Sequence, residues 1–200
     1  DRIIPSLVWL IARLARRHTV FVYVLRYHDT PCTYELAGAT IRDLGRPDGA
    51  RAQRRALEYG LREDGPFDVV HAYWAQPAGR LVAPLARQMG IPSVVTLDSG
   101  EFAALPDIGY GLQSTLRGRW AVRTATRLAT RLSVCSTYQA GLARAHGLEP
   151  AVIPLGVDLS TFPRRADTDA AEGPPFRLLT VASLNPVKDH ATLLEAMARL

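Results

Sequence analysis

The sequence predicts an α/β fold: a doubly wound parallel sheet, followed by the beginning of a second α/β domain. Short apolar runs alternate with stretches of helical periodicity from residue 5 to residue 154, and right-handed crossovers between such strands place helices on both faces of a parallel sheet. Of the 200 residues, 48% are apolar, enough for a sizeable core. The alternation stops over 159–175, where Pro163, Arg164, Arg165 and the Gly173-Pro174-Pro175 triplet read as a linker, and restarts at 176. The domain division is therefore a first domain at 1–158, a linker at 159–175 and the start of a second domain at 176–200.

Each element has its own signal. Pro5 and Ser6 open a helix whose Leu7, Leu10, Ile11 and Leu14 share one face, with Arg13, Arg16 and Arg17 at the end where cations suit the helix dipole. Apolar runs predict strands at 20–25 and 39–43, and a helix lies between them and the next strand, over 50–62. A strand at 67–72 leads into a helix over 77–89, which Pro84 should kink. A strand at 92–97 is followed by a long loop marked by Gly100, Pro106, Gly109 and Gly111, then a helix over 114–130 and a strand at 131–136. A helix over 138–146 and a strand at 151–154 complete the first domain. After the linker, a strand at 176–182 and a helix over 190–200 begin the second.

Composition narrows the function. The 24 basic and 19 acidic residues leave a net charge of +5, too small an excess for a nucleic-acid binder. Lys188 is the one lysine among these basic residues, and the Arg- and Ala-rich usage reads as the coding bias of a GC-rich bacterium. Cys32 and Cys135 have neither metal-type spacing nor the density of a disulfide framework, which points to a reducing, cytoplasmic compartment. The apolar run 7–12 is too short to span a bilayer, and no signal cleavage site is recognisable. Both ends read as cut from a longer chain.

Ligands of open α/β sheets bind beyond the carboxyl ends of the strands. At those ends lie His71, then Asp98, Ser99, Gly100 and Glu101, then Ser136, then Gly156 and Asp158. Such a polar edge suits a polyhydroxylated ligand. Structural alternatives stand beside it: Asp98 and Glu101 have capping-box spacing, Ser136 suits a helix N-cap, and a lone strand-end histidine is often structural. Lys188, before a helix, is placed to offer a point charge to a phosphate, or is simply an exposed loop lysine. Other chemistries fail their motifs. Val187 stands where a phosphate loop needs glycine, Ser114 where a dinucleotide fingerprint needs its third glycine, and there is no nucleophile elbow or His-Glu-x-x-His pair.

The segments FDVVHAYWAQPAGRLVAPLARQMGIPSVVTLDSGEF, RLSVCSTYQAGLARAHGLEPAVIPLGVDLSTFPRR and FRLLTVASLNPVKDHATLLEAMARL resemble the GT-B glycosyltransferases of family 4. The likeness runs in order over most of 67–200: a strand ending in His, a strand leading to a Gly-Glu turn, a Pro-x-Gly-Val-Asp hinge, and a strand-loop-Lys-helix opening. The resemblance implies two facing Rossmann-like domains, the first holding the acceptor and the second the nucleotide-sugar, with retention of anomeric configuration. This chain then corresponds to the first domain and the start of the second, and on its own is expected to be inactive. The family's first strand and glycine loop would precede Asp1, and its donor-binding glutamate pair, eight residues apart, would follow Leu200.

Carried residue by residue, the resemblance assigns Lys188 and Ser183 to the donor diphosphate, with Ser183 standing where arginine is common. Gly156 and Asp158 fall at the hinge on the donor side. Asp98 stands where many members have the His near the reacting sugar; Asp98 and Glu101 would hold sugar or acceptor hydroxyls, with His71, Ser99 and Gly100 on the acceptor side. The leaving diphosphate itself takes the acceptor's proton in the front-face mechanism, so neither a cofactor nor a metal is expected, and Asp167-Thr168-Asp169 lies in the linker. The expected partners are a nucleotide-sugar and a hydroxyl acceptor (lipid-linked, glycan or small molecule), not nucleic acid. Arg119, Arg123, Arg127 and Arg131, opposite an apolar side of Leu116, Trp120, Ala125, Leu128 and Leu132, form a row that could meet anionic membrane at the inner face. The alternatives are an epimerase of the same fold and a non-catalytic α/β binding module.

Overall fold

A computed structural model describes residues 4–162 and 178–199. Helix α1 (Pro5–Leu14) starts on a proline, whose missing N–H is no loss in a first turn. Strand β1 (Phe21–Val24) pairs in parallel with β3 (Ala39–Asp43). Between them the sequence reading missed β2 (Cys32–Leu36), which runs antiparallel to β3 in the register Leu36↔Ala39 and Cys32↔Asp43. The connecting pair Ala37-Gly38 takes positive φ at both positions, 55° and 80°, the geometry of a tight hairpin turn. Because Ala is a poor residue for that conformation, the turn carries none of the usual Asn-Gly signal, and β2 is exposed along its length.

Helix α2 (Gly49–Asp64) buries Gln53, Leu57, Gly60 and Leu61, one helical stripe. Gly60 is needed there: a Cβ would stand 2.6 Å from the Tyr23 ring, whose hydroxyl donates to the Gly60 carbonyl at 2.9 Å and to Asp64 at 2.6 Å. Asp64 also pairs with Arg42, so this helix end is pinned to β1 and β3 together. Leu57 and Leu61 meet Leu81 and Leu85 of α3 (Arg80–Met89) in a leucine core, each side chain contributing roughly 1.5–3 kcal/mol by burial. Pro84 sits one turn into α3, where the carbonyl it fails to serve belongs to the helix's first residue. The turn Ala75–Gly79 leads directly into α3, and its one non-helical residue is Gln76 (φ −136°, ψ 134°), so helical backbone begins at the expected residue 77.

The second sheet holds β4 (Val70–Tyr73), β5 (Ser93–Leu97), β6 (Arg131–Val134) and β7 (Ala151–Val152) in that order, all parallel. One face carries Ala72, Val95, Leu97 and Val134 into a core with Ala83 of α3, Val122 and Ala125 of α4 (Leu116–Leu128) and Ala140 of α5 (Thr137–Ala145). Small residues let these helices approach the sheet closely, and Thr115 and Ser136 cap α4 and α5 by accepting the N–H of Gly118 and Gln139. The N-cap expectation for Ser136 is met.

Two expectations about the sheet change. A single continuous sheet is predicted, but β1 and β4 do not pair. Each keeps one edge free of ladder bonds, and residues of both line an apolar cavity of about 1070 Å³ with Leu7, Leu10, Ile11 and Leu14 of α1. No strand forms over 178–182, since residues there are exposed with no pairing partner among the described residues, and a strand lacks internal hydrogen bonds of its own. Residues 163–177 lie outside the described residues, with most of the expected linker. Helix α6 (His190–Met197) matches the expected last helix.

The arginine row is also redrawn. Arg131 opens β6 and is not helical, and the buried side of α4 is Gly118, Ala121, Val122, Ala125 and Thr126. Leu116 and Trp120, expected inside, are 83% and 56% exposed. The small residues, not the large apolar ones, face the sheet because α4 packs closely against α3 and the Ala75–Gly79 turn.

Candidate functional site

The carboxyl edge of the four-stranded sheet carries Asp98, Ser99, Gly100 and Glu101, which follow β5. β5 ends at Leu97, so Asp98 stands one residue beyond it, and Cys135 stands one beyond β6. Alternation puts Tyr73, Asp98 and Cys135 on the same face, opposite the packed core. Burial and the hydrogen bond to Asp98 push the Cys135 thiol up to about 12, and burial with the nearby Cys135 and Asp98 raises the Tyr73 phenol. Both side chains are therefore neutral hydrogen-bonding groups beside one carboxylate. Sequence reasoning missed Tyr73 and Cys135; counting same-face positions on adjacent parallel strands would have found them.

Glu101 is 1% exposed. Its Oε1 accepts the Ala75 N–H at 3.1 Å and its Oε2 the Ser99 N–H at 2.7 Å, while Gln113 donates to its carbonyl at 2.6 Å. Burial raises its carboxyl, and the backbone donors from Ala75 and Ser99 oppose that rise. The capping-box alternative does not form, because residues 98–102 start no helix and Glu101 reaches Ser99 and Ala75 rather than the Asp98 backbone. What Glu101 holds is the relative position of two loops, the one after β4 and the one after β5. Gly100 lies between them under Tyr110, where a Cβ would come within 2.9 Å of the ring.

His71 is the second residue of β4 rather than its end, since the strand continues to Tyr73. Its Nε2 meets Thr96 Oγ1 at 2.6 Å, and Thr96 Oγ1 meets Ser133 Oγ at 2.7 Å, so a line of hydrogen bonds crosses three strands. Burial lowers the His71 imidazole, and the ring lines the cavity between the two sheets rather than joining Asp98.

Gly156 and Asp158 follow β7, both on exposed or half-exposed chain. Asp158 accepts from the N–H and the hydroxyl of Ser160, at 3.0 and 2.7 Å, and these bonds lower its carboxyl. Ser183 and Lys188 share the exposed loop before α6. The Ser183 hydroxyl accepts from Asn185 at 2.8 Å, and the loop ends in a turn, Pro186–Lys188. The N-cap of α6 is Asp189, which accepts the Thr192 N–H at 3.3 Å. Lys188 thus adjoins a helix start already served by a carboxylate.

The four-stranded parallel sheet flanked by helices makes this a Rossmann-like α/β domain, and the family model for the glycosyl transferase 4-like domain matches residues 4–156. The chain belongs to that family. It is also similar to the putative teichuronic acid biosynthesis glycosyltransferase TuaC of Bacillus subtilis (strain 168), 26% identical over 101 residues. That match covers 50% of this chain and 25% of the relative, so the chain spans only a fraction of the relative's length.

Proposed function

We propose that the full-length protein is a retaining glycosyltransferase that moves a sugar from a nucleotide-sugar to an acceptor hydroxyl. The observation that carries the reading is the family match over 4–156, which takes in every strand from β1 to β7 and the residues that follow β5. In the proposed reaction the bond from the anomeric carbon to the diphosphate oxygen breaks, a bond to the acceptor oxygen forms on the same face, and the acceptor's proton passes to the departing phosphate. The protein then positions the partners and stabilises charge. Asp98 accepts from sugar or acceptor hydroxyls, with Tyr73 and Cys135 as neutral neighbours, and the Ser99-Gly100 backbone forms the floor that Glu101 fixes. His71 lines the acceptor side.

Lys188, Ser183, Gly156 and Asp158 belong to the donor side, Lys188 as the cation for the diphosphate. The likeness to an enzyme of teichuronic acid biosynthesis supports a glycan hydroxyl as acceptor. The protein works in a bacterial cytoplasm, touching the inner face of the membrane through Arg119, Arg123 and Arg127 of α4 with the exposed Leu116 and Trp120. A screen of nucleotide-sugars against glycan and lipid-linked acceptors tests the reading, with the anomeric configuration of the product read by NMR. Transfer with retention supports it; inversion, or epimerised donor without transfer, overturns it.

A further inference from the structure

We propose that His28, Cys32 and Asp43 form a zinc-type metal site on the three-stranded sheet, separate from the strand-end edge of the other sheet. The hairpin creates it. Cys32 opens β2 and Asp43 closes β3, and the two are direct partners in the antiparallel register, which brings their side chains together on one face. His28, in the loop leading to β2, adds its Nδ1 at 2.8 Å from Asp43 Oδ2 and 3.5 Å from Cys32 Sγ. All three ligating atoms lie within 4.8 Å of one another. The bond lengths of tetrahedral zinc to nitrogen, sulfur and oxygen imply ligand separations of roughly 3.3–3.7 Å, so the pair of His28 and Cys32 is already spaced for a metal.

The site is organised before any metal arrives. Asp43 is 2% exposed, and its carboxylate is oriented by the N–H of Gly45 at 2.8 Å and the N–H of His28 at 2.9 Å. The rings of Tyr27 and Tyr34 stand edge-on to the imidazole, with centroids 4.7 and 6.2 Å away, and restrict its rotation. Such outer contacts are what fix ligands in metal sites. A catalytic thiol relay is excluded by geometry: thiol and carboxylate both address Nδ1, whereas a relay needs them on opposite ring nitrogens. Thiolate and carboxylate together balance the charge of a divalent cation. Metal binding requires a deprotonated thiol and an unprotonated Nδ1, so it is coupled to proton release. The His28 and Cys32 side chains are exposed, leaving the fourth position to water.

Cobalt(II) titration of the purified protein tests this, because a cobalt–thiolate bond gives its own near-ultraviolet absorption. The expected result is a saturable band at one equivalent, displaced by zinc, and lost or weakened about tenfold or more in Cys32→Ser and in His28→Asn but retained in Cys135→Ser. Alkylation mapping supplies the second reading, with zinc expected to protect Cys32 selectively. Absence of a thiolate band, or binding and protection that do not respond to Cys32→Ser and His28→Asn, overturns the site. Both variants sit on exposed chain, so folding, checked by circular dichroism, is expected to survive them.

Discussion

Glu101 accepts the backbone N–H of Ala75 at 3.1 Å across 26 residues of sequence, joining the loop after β4 to the loop after β5 from a position 1% exposed. With the Ser99 N–H on the other carboxylate oxygen, this contact ties together the edge where Asp98, Ser99 and Gly100 stand. Removing the Glu101 carboxylate leaves the buried Ala75 N–H without an acceptor and frees the part-buried Ser99 N–H. A buried donor left unpaired costs about 1–3 kcal/mol, so Glu101→Ala should lower the melting temperature markedly, and Glu101→Gln, which keeps one acceptor, should lower it less. Thermal denaturation of the three proteins checks the order; equal stability of all three would remove the tie.

Gly100 depends on the same packing. Gly100→Ala should destabilise by about 1–3 kcal/mol, since the new methyl meets the Tyr110 ring at 2.9 Å. Tyr110→Ala should be less damaging in the Gly100→Ala background than in the wild type, a non-additivity that a denaturant-based double-mutant cycle detects.

Stability should also fall on mild acidification. Burial holds the His71 imidazole below its ordinary 6.5, so the unfolded chain takes up the proton first. Stability is therefore complete above about 6.5 and declines as pH drops from there toward the lowered native value. His71→Gln should flatten that slope in urea titrations between pH 7 and pH 5, in buffers chosen at roughly those values.

Much of this was legible in the sequence, and the failures have physical reasons. The strand at Ala39–Asp43 and the end of α3 at Met89 agree with periodicity, because burial on one side imposes it. Hairpin strand β2 escaped, since its turn uses Ala37 at positive φ and its residues bury nothing. The face of α4 was misread because close packing selected Gly118, Ala121 and Ala125 over Leu116 and Trp120, a choice that hydrophobicity alone does not reveal. At the candidate site the residues after β5 were found, but not that Glu101 points inward, since the donor it serves, Ala75, is distant in sequence. The trio of His28, Cys32 and Asp43 needed the hairpin register to become visible.

The exposed face of α4 offers Arg119, Arg123 and Arg127 beside Leu116 and Trp120, with the Arg80 guanidinium 5.7 Å from the Trp120 ring centroid. No helix among the described residues is long and apolar enough to cross a membrane. Each arginine near an anionic surface contributes about 1 kcal/mol. The protein should sediment with anionic vesicles at low salt and not with neutral ones, and lose binding at raised salt or when Arg119, Arg123 and Arg127 are changed to Glu. Binding that is equal on both vesicle types would end the proposal.

The most direct test of the account is nucleotide-sugar-dependent transfer by the full-length protein, followed as sugar incorporated into a hydroxyl acceptor, for the wild type, Asp98→Asn and Lys188→Ala. The account predicts transfer with retained configuration, a lower turnover with unchanged melting temperature for Asp98→Asn, and nucleoside diphosphate binding weakened by about 1.5–3 kcal/mol for Lys188→Ala, roughly tenfold or more. Wild-type turnover that survives Asp98→Asn and Lys188→Ala unchanged, or a full-length protein that transfers no sugar from any nucleotide donor, would contradict it.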